Sequence, residues 1–412
     1  MSLPIVFIHK SNSDYLIYSL LQAKQTNPQS DIILLGDYSN DCYKFIHHEN
    51  LNNYLFGARE LGKVYKHFHN INSYLNELLC FQRWFVLRDF MQTNNFNRCL
   101  YIDSDVMLYA NVTQEQDKFS EFDLTLSHNL SPHCNFINNL NALEKYCYFV
   151  FSLYTDSSIV KEIDQLMQEV SQKRVWGGVS DMTVFRAFKE LPECNIGEVS
   201  TIIEDSIYDH NINASDDFEM RNGIKSIFFV EGQPFGRHIP SGKSLKFNAL
   251  HFQGKAKKLM KDYFTGELNL DEKTISLPVK LGETNLIIFP DWAASEEEIY
   301  QNLEQAIRAI ATHPARSYIT LLVDTSGISA DDANLFLSDV AMNLFMQEDL
   351  DITEELEISF VGQLNEIQWK ALLPRLKTRI VLEKENQQAI AAVKAENLPS
   401  CKPESLSQKP AF

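Results

Sequence analysis

A chain of 412 residues is too long for one minimal core and implies two or three domains. Its apolar fraction of 44% and charged fraction of 22% are those of a soluble globular protein, and a formal net charge of −18 argues against a general nucleic-acid binder, because phosphate backbones are held mainly by Lys and Arg. The cysteines, at 42, 80, 99, 134, 147, 194 and 401, form no CxxC pair, which fits a reducing compartment; with no signal-peptide-like start and no run near about 18 apolar residues, the expectation is a cytoplasmic protein that meets a membrane only at its surface.

Residues 4 to 9, Pro-Ile-Val-Phe-Ile-His, read as a buried strand. A polar loop from Lys10 to Asp14 and an amphipathic helix from Tyr15 to Gln25 follow, then a strand from Asp31 to Leu35 ending at Gly36 and Asp37. This alternation opens an α/β fold with a parallel sheet, whose ligands bind beyond the C-terminal ends of the strands. Lys10, Ser11, Asn12 and Asp37 would then lie where a nucleotide base or ribose is held. A helix over Ser73 to Met91 carries Leu75, Leu78, Leu79, Trp84, Phe85 and Leu87. Arg83 among them reads either as a salt-bridged or snorkelling arginine or as one reaching a diphosphate pocket.

That helix delivers the chain to LYIDSDVMLY, residues 100 to 109, with Asp103 and Asp105 at the end of an apolar run. Polar residues often follow a strand only to turn into solvent. Two carboxylates crowded at a buried sheet edge, however, repel each other unless a cation sits between them. Hard cations such as Mn2+ or Mg2+ take oxygen ligands and keep positions open for substrate phosphates. The pair therefore points to a phosphorylated or nucleotide-linked substrate.

A strand at Leu124 to Ser127 is followed by a segment rich in Asn, Cys and aromatics through Tyr154, expected to shape a binding surface, and by a helix over Ser158 to Gln172. In Trp176-Gly177-Gly178-Val179-Ser180-Asp181 the aspartate reads either as a helix N-cap or as a loop carboxylate facing the sheet edge. Lys246 to Lys258, KFNALHFQGKAKK, runs a strand into His251. His251, Gly254 and Lys257 recur every three residues, so a turning loop could place an imidazole, a bare backbone and an ammonium around one anion. Neutral imidazole would complete a metal's protein ligands, and Lys257 would neutralise phosphate charge.

Residues 265 to 284 are polar and turn-prone, and read as a linker between a first domain over 1 to 264 and a second over 285 to 384. The second is expected as a four-stranded α/β domain. Its strands are Asn285 to Phe289, Tyr318 to Val323, Glu357 to Val361 and Arg379 to Leu382. Its helices are 295 to 312, opened by the capping box Ser295 and Glu298, Ala330 to Met346, and Asn365 to Leu376. Asp324-Thr325-Ser326-Gly327 and Gly362-Gln363 lie at strand ends without a phosphate-loop fingerprint, which favours an interaction or regulatory module. The tail over 385 to 412 is expected to be disordered.

Taken together, the early α/β half, Asp103-Ser104-Asp105 and the HxxGxxK segment from His251 to Lys257 resemble the GT-A-fold nucleotide-sugar glycosyltransferases, nearest the glycogenin-like and lipopolysaccharide galactosyltransferase family. The resemblance spans roughly residues 4 to 262. It implies a GT-A, Rossmann-like domain and transfer of a sugar from a nucleoside diphosphate, usually UDP, to a hydroxyl on a glycan, lipid or protein acceptor, with retention and with Mn2+ or Mg2+. Carried over, Asp103, Asp105 and His251 would hold the metal, with Asp103 also on the ribose. His9, Lys10, Asp14, Arg83, Ser104, Gly254 and Lys257 would contact the donor, and Asp181 and Lys257 would serve catalysis. Where the family has Asp-Gln this chain reads Asp181-Met182, and the family's Asn-Ser/Thr-Gly strand is not evident around 135 to 152. The second domain resembles a module of bacterial, particularly cyanobacterial, glycosyltransferases. Two other readings compete: a binding protein that kept the fold and lost turnover, and a phosphatase or phosphomutase of the haloacid dehalogenase type, whose DxD also follows an apolar strand.

Overall fold

The computed structural model describes residues 2–68, 72–156, 178–192, 194–348, 350 and 356–406. The helix expected over Ser158 to Gln172, with Trp176 and Gly177, lies outside the described residues. The chain divides into two compact units, residues 1–268 and 269–412.

The first unit opens with β1 (Ile5–Ile8), α1 (Leu16–Thr26), β2 (Ile32–Gly36), β3 (His47–Asn50), α2 (Phe56–Val64) and α3 (Tyr74–Thr93). It continues through β4 (Cys99–Ile102), β5 (Val106–Leu108), β6 (Leu124–Leu126), β7 (Cys134–Ile137), α4 (Leu140–Thr155), α5 (Asp181–Lys189) and β8 (Ile196–Glu198). Among the described residues, seven strands form one sheet in the order β3-β2-β1-β4-β7-β6-β8. β1, β2, β3 and β4 run parallel, and β7 runs antiparallel between β4 and β6. β1, β2 and β4 carry almost no polar residue, as strands covered on both faces require.

A second sheet is built from β9 (Ser206–Tyr208), β12 (Ile227–Val230), β13 (Gln233–Arg237) and β14 (Ser244–His251), after the small hairpin β10 (Met220–Arg221) and β11 (Ile224–Lys225). Its order is β12-β13-β14-β5, with β9 parallel to β14 on the side. β4 and β5 belong to different sheets, so the chain changes sheets across Asp103-Ser104-Asp105. β14 runs antiparallel to β5 with His251 opposite Val106. That register sets the histidine beside the residue that follows Asp105.

Part of the aromatic-rich stretch through Tyr154 reaches the surface, where Glu144, Tyr148 and Phe151 line a groove beside α2 and α3, but the larger part is buried. Most of it is β7 and α4, whose Tyr146, Cys147, Val150 and Tyr154 enter the core under the large sheet. The Tyr146 ring stacks on Phe185 at 3.7 Å. Helical spacing turned these side chains inward, leaving Tyr148 exposed.

The second unit contains β15 (Thr284–Ile288), α6 (Glu296–Ala311), β16 (Ile319–Val323), α7 (Ala330–Glu348), β17 (Glu357–Phe360), α8 (Glu366–Leu372), β18 (Thr378–Ile380), α9 (Gln387–Val393) and β19 (Ser400–Cys401). The capping box of Ser295 and Glu298 is present at the start of α6. Among the described residues the sheet has five parallel strands, β17-β16-β15-β18-β19, rather than the four expected. The extra strand comes from the segment taken as a disordered tail. Its described part, residues 385–406, is folded onto the unit, with Ile390 and Ala395 buried in the core and β19 paired with β18. Most of the stretch taken as a linker also belongs here, with Leu277, Val279 and Leu281 packed on the same core. Asp324 is buried and accepts from the Ser326 amide and hydroxyl, which closes a turn at the strand end.

Candidate active site

The site forms where β1, β4 and β14 end. Asp103 is held by α3: Arg83 Nη1 donates to its Oδ1 at 2.8 Å, and the Tyr101 hydroxyl donates to the same oxygen at 2.6 Å. The other arm of the guanidinium, Nη2, donates to Asp181 Oδ2 at 2.6 Å, and Trp84 Nε1 reaches that oxygen at 3.3 Å. Burial works against the charge of Arg83, but Asp103, Tyr101 and Asp181 outweigh it and hold the guanidinium charged well above its ordinary range. Of the two sequence readings of Arg83, the salt-bridged one is what the side chain shows, with Asp103 and Asp181 as its partners. Asp181 is not the N-cap. Ser180 caps α5 in a box with Thr183, which leaves Asp181 as the first helical residue, buried and pointing to Arg83.

Asp105 lies on the other side of the turn. Its Oδ2 pairs with Lys257 Nζ at 3.1 Å, and its Oδ1 stands 3.6 Å from His251 Nε2. His251 Nδ1 contacts the His210 carbonyl at 2.7 Å. A carbonyl only accepts, so Nδ1 carries a proton; in the Nδ1–H tautomer the lone pair lies on Nε2, the ring atom that faces Asp105. The ring of His133 stacks on that of His251 at 3.9 Å, and burial first, then His251 itself, hold His133 well below the usual histidine range, hence neutral.

Lys257 is reached through a tight turn. Gly254, at φ +62°, opens a 3₁₀ turn over Gly254–Leu259. With three residues per turn, Gly254 and Lys257 fall on one side, while Lys255 and Lys258 stay exposed. Burial works against the Lys257 ammonium, but Asp105 and the Tyr15 hydroxyl hold it charged above its ordinary range, and it also lies 5.1 Å from the centre of the Tyr15 ring. His9 lies near, its Nδ1 at 2.9 Å from the Ser104 hydroxyl, and burial first, then Lys257, push it down to about 4. Lys10 and Asp14 stand exposed in the loop after β1. Beside them Ser11, at φ 70°, donates its amide to Asp37 Oδ2 at 2.8 Å, and Asn40 clasps the His9 and Ser11 carbonyls.

Among the described residues no group of three or more His, Cys, Asp or Glu side chains stands ready to hold a metal ion. The expected trio of Asp103, Asp105 and His251 is thus assembled only as the pair Asp105 and His251. Asp103 is taken by the guanidinium and the phenol. The pair nonetheless fits a divalent cation: a carboxylate oxygen and an imidazole lone pair face each other, backed by a carbonyl that fixes the ring. Tyr101, His133, His210, Asp209 and Lys225 were not singled out in the sequence. Only Tyr101 carried a readable signal, two residues before Asp103 on a strand and hence on the same face.

Fold and site define an α/β protein with an acid, an imidazole and an ammonium converging at its strand ends. No family model and no curated protein matches the sequence. Solved structures similar to the chain are glycosyltransferases. One is the apo-form glycosyltransferase GlyE of Streptococcus pneumoniae, at 11% identity over 97% of this chain and 90% of that one, with a TM-score of 0.30. Another is mouse xyloside xylosyltransferase 1, at 10% identity over 50% of this chain and 88% of that one, TM-score 0.36. A third is the galactosyltransferase LgtC in complex with donor and acceptor sugar analogues, at 13% identity over 48% of this chain and 73% of that one, TM-score 0.28. What the site can do follows from its own geometry.

Proposed function

We propose that the first unit is a metal-dependent glycosyltransferase that moves a sugar from a nucleoside diphosphate, UDP in the first instance, to a hydroxyl acceptor, with retention. The observation that carries this reading is Asp105 held between His251 Nε2 at 3.6 Å and Lys257 Nζ at 3.1 Å. Asp105 and His251 would hold Mn2+ or Mg2+, and Asp103 would join them on release from Arg83. The cation would supply Lewis-acid stabilisation of the leaving diphosphate. Lys257 is placed to exchange Asp105 for a phosphate oxygen, and so to meet charge as it develops. The bare Gly254 backbone lets that anion approach. Ser11, Asn12 and Asp37 beyond β1 and β2 suit a base and ribose. Asp181, paired with Arg83, would face the donor sugar. An acceptor glycan, lipid or protein hydroxyl would enter through a cavity of about 510 Å³ beyond His210, walled by Glu198, Asp209, Asp216 and Asp217.

Among the described residues no helix is long and apolar enough to cross a membrane, and we place the reaction in the cytoplasm. The test is a panel of sugar nucleotides screened by thermal shift with and without Mn2+, since a ligand of the folded state raises its apparent stability. Transfer or hydrolysis is then followed for the donor that binds. Asp105→Ala and His251→Ala should each abolish metal-dependent donor use, and wild-type turnover in both would end the assignment. A second reading, binding without turnover, is favoured by one observation: Asp181 is locked to Arg83 and Trp84. Calorimetric binding of UDP with Mn2+, without transfer or hydrolysis from any sugar nucleotide, would select it.

A further inference from the structure

The turn after β9 holds His251 at two points. Asp209 Oδ2 accepts from the His251 amide at 3.2 Å, and the next residue's carbonyl takes the Nδ1 proton at 2.7 Å. The turn itself is held by Lys225, on the β10–β11 hairpin. Its ammonium, 1% exposed, donates to Asp209 Oδ1, to the Asn211 carbonyl and to Asp216 Oδ2, each at 2.7 Å. All three of its protons are thereby placed. The Lys225 amide also donates to the Ile212 carbonyl at 2.8 Å, and the Ile212 amide to the His251 carbonyl at 3.0 Å.

A fully buried ammonium is costly unless it is paired, and the simplest role for such a lysine is to staple the loop. Its position argues for more. Two of its three acceptors lie on Asp209 and Asn211, the residues on either side of the His210 carbonyl.

We propose that Lys225 is a positioning residue for the His251 imidazole. By fixing Asp209 and Asn211 it aims the His210 carbonyl at Nδ1, which puts the ring proton there and presents the Nε2 lone pair to Asp105. Lys225 touches neither donor nor cation. The proposal rests on the reading of Asp105 and His251 as cation ligands, and it adds the group that prepares one of them before any cation arrives. Outer groups that orient a ligating histidine are commonly worth 10- to 100-fold in metal affinity.

The test pairs two measurements on the full chain. In the protein with 15N-labelled histidine and no metal added, His251 should appear as the Nδ1–H tautomer. Finding the Nε2–H tautomer overturns the proposal whatever the variants do. In the second measurement, Mn2+ binding is followed by electron paramagnetic resonance for wild type, His251→Ala and Lys225→Met/Asp209→Asn, the last pairing chosen so that no carboxylate is left buried and unpaired at that position. The double variant should keep its fold by circular dichroism, bind Mn2+ roughly 10- to 100-fold more weakly, and show His251 in mixed tautomers. If His251→Ala loses Mn2+ while the folded double variant binds as wild type does, this proposal fails and the cation reading stands. If His251→Ala binds as wild type does, the cation reading itself fails.

Discussion

Replacing Arg83 by Met keeps most of an unbranched stem on α3 and deletes the charge between Asp103 and Asp181. The three side chains are 16%, 25% and 6% exposed, so the two carboxylates would be left with little solvent and no cation. Removing one partner of a buried ion pair commonly costs about 3–5 kcal/mol. The Tyr101 hydroxyl and the Trp84 indole would still donate to the two acids, which argues for the lower end, about 3 kcal/mol. For a unit of this size each kcal/mol moves Tm by roughly 2–4 °C, so a fall of about 6–12 °C is expected by scanning calorimetry at pH 7. The pH dependence has a definite sign. Without the arginine, burial and mutual repulsion raise the folded-state pKa of the acids above the unfolded value. The folded state then binds more protons than the unfolded one, so the deficit shrinks as the pH is lowered through the raised range. Arg83→Met/Asp181→Asn should recover part of the loss at pH 7. A Tm within about 1 °C of wild type for Arg83→Met, or a deficit unchanged between pH 7 and pH 5, would refute the buried triad.

At Gly254, φ is +62° and a Cβ would meet nothing within 4 Å, so Gly254→Ala should cost about 1 kcal/mol from the backbone alone, and Gly254→Asn less, measured by urea unfolding. Burial works against the charge of Asp216, but its bonds to His210 and Lys225 lower its pKa to about 2. Its stabilising contribution should be present above the usual carboxylate range and lost as pH falls from about 3.8 toward 2, and Asp216→Asn should flatten acid unfolding in that window. Burial pushes the Cys80 and Cys147 thiols up to about 12, so both should resist a thiol reagent at pH 8 in the native protein and react in urea. Rapid native labelling of Cys147, followed by mass spectrometry, would contradict its burial. If the second unit positions an acceptor or mediates assembly, deleting residues 269–412 should change acceptor turnover or oligomeric state, and unchanged values for both would dismiss that role.

Much of the scaffold was legible because it rests on local rules. Apolar strands alternating with amphipathic helices announced both α/β units, and Ser295 with Glu298 announced the start of α6. The three-residue spacing from His251 to Lys257 matched a 3₁₀ turn. Errors arose where neighbours in space decide. Ser180 caps α5 rather than Asp181, a displacement of one residue that turns a surface cap into a buried anion beside Arg83. β19 is two residues long and has no strand-like period of its own, so only its pairing with β18 makes it a strand. Lys225 was not singled out, because its acceptors Asp209, Asn211 and Asp216 lie 16, 14 and 9 residues before it and only the fold brings them to its ammonium.

The antiparallel register of β14 on β5 explains how one motif finds the other. Asp105 immediately precedes β5 and His251 ends β14, with Val106 opposite His251, so a shift of one residue would turn the imidazole to the opposite face of the sheet. That register is enforced by apolar pairing, with Ala249 against Leu108 and Leu250 against Met107, all buried. The candidate cation pair is therefore specified by core packing at uncharged residues one to three positions along the strands from Asp105 and His251. Substitutions at Met107 or Leu250 that disturb the register should impair Mn2+ binding as severely as His251→Ala, whereas equally destabilising substitutions in the second unit's core, at Leu303 or Leu321, should leave it intact.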